Sequence, residues 1–260
     1  MKALRSLYHA APEAAGAEPT LRYSLIASEG GFIGRGTGRP PFGPASLEDA
    51  WSFLEWRATE DILAAEQRLV CLHAAGIRLG ARNVLLIGAS GSGKSTLAAH
   101  LMAAGHRAWG DDLVLFAPLE GVFSAFPRSL KLDSNLLSEL SLVEQAVAAN
   151  KEGTLLAHPV AYVSPAAIRS DWQAEPGRVD AVVLLGSDRH VGPATAERVS
   201  EGAAAILASQ SVIAGHRPET EQATLMIQVL EAMRDAAAWR VSGAGAGAVA
   251  RALEEALADA

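Results

Sequence analysis

Residues 88–95 read Gly-Ala-Ser-Gly-Ser-Gly-Lys-Ser, a complete match to G-x-x-x-x-G-K-[ST], and no other stretch constrains the fold of this chain as strongly. The pattern carries weight only where a strand runs into a helix, and the flanks predict both. Val84 to Ile87 is a continuous apolar run of strand length, Lys94 to Ala104 is made of good helix formers, and Gly105 is placed as a C-terminal stop. Glycines let the backbone curl so that successive N–H groups point inward at phosphate oxygens, and the helix start adds the positive end of its dipole. The candidate phosphate-binding residues are therefore Gly88, Ala89, Ser90, Gly91, Ser92, Gly93, Lys94, Ser95 and Thr96. Lys94 is placed to bridge β- and γ-phosphates, and the Ser95 hydroxyl to join a magnesium shell. The loop alone does not decide the chemistry, because the same cradle serves many nucleotide-using proteins.

Around this unit the pattern alternates strand and helix, which predicts an α/β architecture. In residues 1–44, a short apolar run (Leu21 to Ala27) among Gly30, Gly31, Gly34, Gly36, Gly38, Pro40 and Pro41 reads as short strands joined by turns. Ser46-Leu-Glu-Asp49 resembles a capping box ahead of apolar Trp51, Phe53, Leu54 and Trp56 at helical spacing. Strands are expected at Leu69 to Leu72 and Ala75 to Ile77, and a hairpin at Leu113 to Ala117 and Val122 to Phe126. A helix is expected at Leu136 to Ala149. Residues 151–178 read as irregular, a place for a mobile or substrate-facing segment. Val179 to Leu185 reads as a strand, followed by helices at Ala196 to Ala208 and Pro218 to Ala238, a strand at Trp239 to Val241, and a last helix from about Gly247 to Ala258. With 260 residues and no Pro/Ser-rich linker, the expectation is an accessory α+β region over 1–65 packed on a domain over 66–260.

Composition closes off several alternatives. Lys+Arg 22 against Asp+Glu 29 gives a formal charge of −7 with basic residues scattered singly, so nucleic acid is not expected as a partner. One cysteine, Cys71, forms no internal disulfide and no cysteine zinc site. Apolar runs are far short of the roughly 20 residues that span a bilayer, and Met1 to Ala11 lacks a leader's apolar core. No membrane association is expected, and the chain reads as cytoplasmic. There is no G-x-S-x-G elbow, and His158 and His190 have no ligand spacing. Asp188, after the strand Val179 to Leu185, reads as a turn residue sooner than as a late acidic ligand at a strand end, and the Trp51/Trp56 and Trp172/Trp239 aromatics read as packing rather than base-stacking groups.

The candidate chemistry lies beyond the loop. Asp111 and Asp112 are adjacent carboxylates 17 and 18 residues after Lys94, immediately before a β-type run. Such a pair can hold magnesium or take a proton from a hydroxyl; the alternative is a turn residue beside a solvated neighbour. Two close carboxylates repel, so a cation or a shared proton must relieve them. His73 precedes Gly88 by 15 residues, on a strand expected to run beside the loop strand. Arg128 and Lys131 either grip γ-phosphate or substrate, or line a solvated strand face.

Taken together, His73, Gly88 to Ser95, and Gly105-His106-Arg107 to Asp111-Asp112 resemble the nucleotide-binding domain of bacterial HPr kinase/phosphorylase, whose fold is shared with phosphoenolpyruvate carboxykinases. The resemblance covers about Leu69 to Leu132. It implies a P-loop core with a mixed sheet, ATP and Mg2+ as cofactors, Ser95 and Asp112 serving magnesium, Asp111 as base toward a serine hydroxyl, and electrostatic support from His73. Homo-oligomers occur in that family. Full HPr kinases carry Glu after Gly-Lys-Ser where this chain has Thr96, and their later Glu-x-Arg-Gly signature is replaced here by Pro127-Arg128-Ser-Leu-Lys131. That segment looks like HPr-kinase-related proteins of peptide-modifying systems, including kinases of lasso precursor peptides. The resemblance thus implies a serine kinase acting on a protein or ribosomal precursor peptide. A small-molecule hydroxyl kinase and a non-catalytic nucleotide-binding regulatory module are the competing readings.

Overall fold

A computed structural model of the chain describes residues 21–149, 153–157, 159–186, 192–214 and 217–258. His158, Asp188 and His190 lie outside the described residues. Along the chain, β1 (Tyr23–Ser28), β2 (Gly31–Gly36) and β3 (Phe42–Ala45) precede helix α1 (Leu47–Ala65). Next come β4 (Val70–His73), β5 (Ala75–Leu79), β6 (Arg82–Ile87), α2 (Lys94–Ala103), β7 (Arg107–Gly110), β8 (Leu113–Ala117), β9 (Val122–Ala125) and β10 (Leu130–Asp133). The remainder is α3 (Ser141–Ala149), β11 (Thr154–Ala157), β12 (Val160–Val163), α4 (Pro165–Ile168), β13 (Ala181–Leu185), β14 (Thr195–Arg198), α5 (Glu201–Gln210), β15 (Val212–Ile213), α6 (Glu219–Ala232), β16 (Ala237–Ser242) and α7 (Ala246–Ala258).

The chain is an α/β protein built on a mixed sheet. Its six strands run in the order β14-β16-β13-β6-β5-β7, with β16, β13 and β6 parallel and the others antiparallel to their neighbours. β6 and β13 are apolar on both faces because both are covered, and Val84, Leu85, Leu86, Ala181 and Val183 are wholly buried in the main core. A second sheet, β15-β4-β8-β9, is antiparallel, and β10-β12-β11 form a third. The N-terminal part is a β1-β2-β3 antiparallel sheet with α1 against it. Ser46 caps α1, its Oγ accepting from Asp49 N–H at 3.0 Å and donating to Asp49 Oδ2 at 2.7 Å.

Four expectations are corrected. Ala196 to Ala208 is not one helix: Thr195–Arg198 pairs with Ser242–Trp239 as β14, and the helix starts only after Ser200, whose hydroxyl accepts from Ala203 N–H. Pro218 to Ala238 is helical only to Ala232, because Ala237 and Ala238 pair in parallel with Ala181 and Val182; sheet pairing overrides the helix preference of alanine. Leu136 to Ala149 divides into a 3-10 turn, Leu137–Glu139, and α3. The stretch expected to be irregular holds β11 and β12, which extend β10 into a sheet, and the short helix α4. Among the tryptophans, Trp51 and Trp172 are buried as expected, whereas Trp56 stands 47% exposed. No helix among the described residues is long and apolar enough to cross a membrane.

Candidate functional site

The glycine-rich segment leaves the carboxyl end of β6, where the parallel strands of an open sheet leave a crevice for ligands. Gly91 (φ 79°) and Gly93 (φ 94°) occupy the left-handed region that a side chain disfavours, and they turn the backbone into a cup whose rim, Ala89 to Gly91, is exposed. Gly93 precedes the first residue of α2 and has no side chain with which to cap the helix. Gly88 is required for another reason. A Cβ there would lie 2.6 Å from Ser92 Oγ and 2.8 Å from the carbonyl oxygen of Leu185 at the end of β13. Lys94 is buried, and its ammonium donates to Gly88 O at 2.8 Å and Ala89 O at 3.2 Å, so it lies folded along the inside of the cup. Desolvation lowers its pKa, while Asp112 and Asp111 draw it back upward.

Two corners of the chain build the acidic side. At Ala74 the chain passes from β4 in the second sheet to β5 in the mixed sheet, and at Asp111-Asp112 it passes from β7 in the mixed sheet to β8 in the second. Gly110, at φ 150°, makes the second corner so tight that a Cβ would sit 2.7 Å from Leu113 O. Because His73 pairs with Leu113, the corners coincide, and His73 Nε2–H donates to Asp112 Oδ1 at 2.7 Å. His73 therefore belongs to the second sheet; the strand beside β6 is β5, a correction to the expected neighbour.

The segment after β9 closes the site. Phe126 N–H donates to Trp109 O at 3.1 Å, which carries Arg128 across the corner until its Nη1 lies 3.5 Å from Asp112 Oδ2. Arg128 is buried, so the solvated-face reading is excluded for it, whereas the Lys131 side chain is one-third exposed. Lys131 N–H donates to Asp111 Oδ2 at 3.1 Å. The Ser95 hydroxyl also favours the charged form of Asp111, which sets the acid pair beside the glycine-rich loop. The carboxylate on the Ser95 side is thus that of Asp111, while Asp112 turns to His73 and Arg128.

The two aspartates titrate far apart. Asp111 is pushed up to about 6 by burial and then by the adjacent Asp112 charge, against Arg128, the Ser95 hydroxyl and the Lys131 N–H. Burial also opposes ionisation of Asp112, but the His73 hydrogen bond and the charges of Arg128, His73 and Lys131 outweigh it and bring the group down to about 2. Sequence reasoning missed one member of the site, Glu55 of α1. Its side chain is 2% exposed, with Oε1 3.2 Å from Arg128 Nε and Oε2 2.6 Å from Lys131 Nζ. The only signal in the sequence is an acidic residue between Leu54 and Trp56 on a helix face that otherwise buries Ala50, Trp51 and Leu54.

The donor set fits a hard divalent cation. A serine hydroxyl and paired carboxylates are oxygen ligands, and among the described residues no group of three or more His, Cys, Asp or Glu forms a self-sufficient metal cage. That is the pattern of Mg2+, which takes one or two protein oxygens together with substrate phosphates. Compared with known proteins, the chain matches no family model and no curated protein.

Proposed function

We propose that this chain is an ATP- and Mg2+-dependent kinase of the HPr-kinase-like type, transferring a γ-phosphoryl group to a serine hydroxyl of a protein or ribosomal precursor peptide. The observation that carries the reading is the convergence of the Gly88–Ser95 loop, through Lys94, with a buried carboxylate pair in which Lys131 N–H binds Asp111 while His73 and Arg128 flank Asp112, so that the two pKa values are driven in opposite directions. Environments that separate two neighbouring acids mark their roles. Asp111, near 6, is matched to accept a proton close to neutrality, and the Ser95 hydroxyl stands on its loop side. Asp112 stays ionised at every working pH, held by His73 and Arg128. Ser95 and the carboxylate pair would hold Mg2+ with the nucleotide phosphates, Asp111 lying on the Ser95 side and Asp112 engaged by His73 and Arg128, and the ion would supply charge neutralisation on the transferring group.

The chain's own work is positioning. The backbone of Gly88 to Ser95 and the Lys94 ammonium bind the phosphates, and Thr96 lies in the first turn of α2 behind them. The acceptor hydroxyl meets Asp111 as it attacks phosphorus. The O–P bond to the acceptor forms, the bond to the β-phosphate bridging oxygen breaks, and the hydroxyl proton passes to Asp111. No covalent enzyme intermediate is needed. The serine acceptor rests on the likeness of Pro127 to Lys131 to peptide-modifying kinases.

The test is incubation with γ-labelled ATP, Mg2+ and serine-bearing peptides, beside Lys94→Ala. Label on peptide from the wild-type protein and none from the variant supports the reading. Transfer only to metabolites, binding without turnover, or full activity of the Lys94→Ala protein overturns it.

A further inference from the structure

We infer that Glu55, carried into the site by the N-terminal region, is a positioning residue that restrains Lys131 and Arg128 and so keeps the first from the nucleotide phosphates and the second from monopolising Asp112. The inference rests on the reading of residues 88–95 as a phosphate loop, and on phosphoryl transfer for its rate arm.

Glu55 is costly where it stands. A carboxylate 2% exposed is stripped of water, and a buried ion pair is on balance no more stabilising than well-packed apolar side chains of the same volume. The helix around it buries Ala50, Trp51, Leu54, Ala58 and Leu63, so an apolar residue at 55 would continue that face. What the carboxylate provides instead is a grip on both cations that border the acid pair. Arg128 lies between Glu55 Oε1 at 3.2 Å and Asp112 Oδ2 at 3.5 Å, so it is shared by two carboxylates. Lys131 is held at both ends, its ammonium 2.6 Å from Glu55 Oε2 and its N–H on Asp111.

The two cations differ in freedom. The Arg128 side chain is 6% exposed and locked, while that of Lys131 is 33% exposed and lies over the Tyr162 ring at 5.6 Å. The ammonium sits on a flexible stem whose own backbone N–H binds Asp111 and whose charge acts on Asp112, so once its counter-ion is removed it can turn toward a triphosphate bound beside the acid pair. Glu55 therefore competes with the nucleotide for Lys131. It also engages Arg128 at Nε, while Nη1 of the same guanidinium lies near Asp112 Oδ2 and His73 takes Asp112 Oδ1. A site with Lys94, Arg128 and Lys131 facing Asp111, Asp112 and Glu55 loses that balance when Glu55 loses its charge. The N-terminal region is then part of the site and not merely a cover over it.

The experiment is Glu55→Gln in the full chain, with two readouts. Displacement of a fluorescent ATP analogue in the presence of Mg2+ gives nucleotide affinity; labelled transfer to a serine peptide at saturating ATP gives the rate. The expected result is a split, with ATP bound about tenfold more tightly, the effect of one unit charge a few ångströms from phosphate under partial screening, and the saturated rate lowered at least about tenfold. A Glu55 that only holds the fold together would weaken affinity and rate in step with a lower melting temperature, and that result overturns the inference, as does unchanged affinity in a folded variant. If Glu55→Gln does not fold, the charge-balanced pair Glu55→Gln/Lys131→Gln decides. Affinity within about twofold of wild type is expected, since the restrained lysine contributes little there, and affinity lost beyond about fivefold overturns it. A wild-type protein that binds ATP yet labels no peptide removes the kinase reading and leaves the affinity arm to decide Glu55; one that binds no ATP overturns both.

Discussion

Replacing Asp111 with Asn separates what the residue does for chemistry from what it costs the fold. The carboxyl is fully buried, and its pKa rises from 3.8 to about 6 on folding. A raised acid pKa means that the folded state holds the proton more tightly than the unfolded one. Stability is then highest where both states are protonated, falls as pH rises from about 4 to 6, and stays at its lower value above 6. The difference between 3.8 and about 6 corresponds to at most about 3 kcal/mol. Asparagine is neutral at every pH, and its amide oxygen can accept the Lys131 N–H in place of Oδ2. The metal-free, nucleotide-free Asp111→Asn protein should therefore be more stable than wild type at pH 8 by up to about 3 kcal/mol. For a chain of this length that is roughly 6 °C in melting temperature. The advantage should shrink by about half at pH 5, while transfer at saturating ATP falls at least about 100-fold. Thermal melts at pH 5 and pH 8 in chelator, beside the labelled-transfer assay, check both halves. A variant that melts lower than wild type at pH 8, or the same at both pH values, refutes the burial argument; unchanged turnover refutes the proton-acceptor role.

Two further outcomes follow from geometry alone. Gly88→Ala should leave the fold largely intact but weaken ATP binding by at least about tenfold, because Ser92 Oγ can rotate away from the new methyl whereas the Leu185 carbonyl is fixed in β13; affinity equal to wild type by analogue displacement would show that the loop accommodates a side chain. Cys71 is buried in β4 and burial pushes its thiol up to about 12, so it should resist a thiol-reactive chromophore at pH 8 in the native protein and react fully in denaturant. Rapid labelling of the native chain would contradict the packing of Cys71 with Leu63, Leu113 and Phe126.

Features legible in the sequence share one property: their cause lies within a few residues. Val84–Ile87, the glycines at 91 and 93, the helix from Lys94, and Gly105 at φ 110° after that helix each follow from local backbone preference. The Ser46 cap and the hairpin of β8 and β9 follow in the same way. The errors lie where a distant partner outweighs that preference. Ala237 and Ala238 are strong helix formers in isolation, yet they run parallel to β13 because the main core needs another strand there. Thr195–Arg198 became an edge strand by the same pairing, and His73 could be placed on a strand but not in the right sheet.

By itself, the order of residues determined the glycine-rich cup, since glycine torsions, an adjacent lysine and a helix start are contiguous and act through the backbone. It also nominated the acids, the histidine and the two cations beyond them. Only the tertiary structure decided which of these meet and in what charge state. Glu55, His73, the Asp111-Asp112 corner and the Arg128–Lys131 segment come from four separate stretches of chain, and whether a carboxyl sits near 2 or near 6 depends on the water removed and the charges brought within a few ångströms by the closing of those stretches on one another.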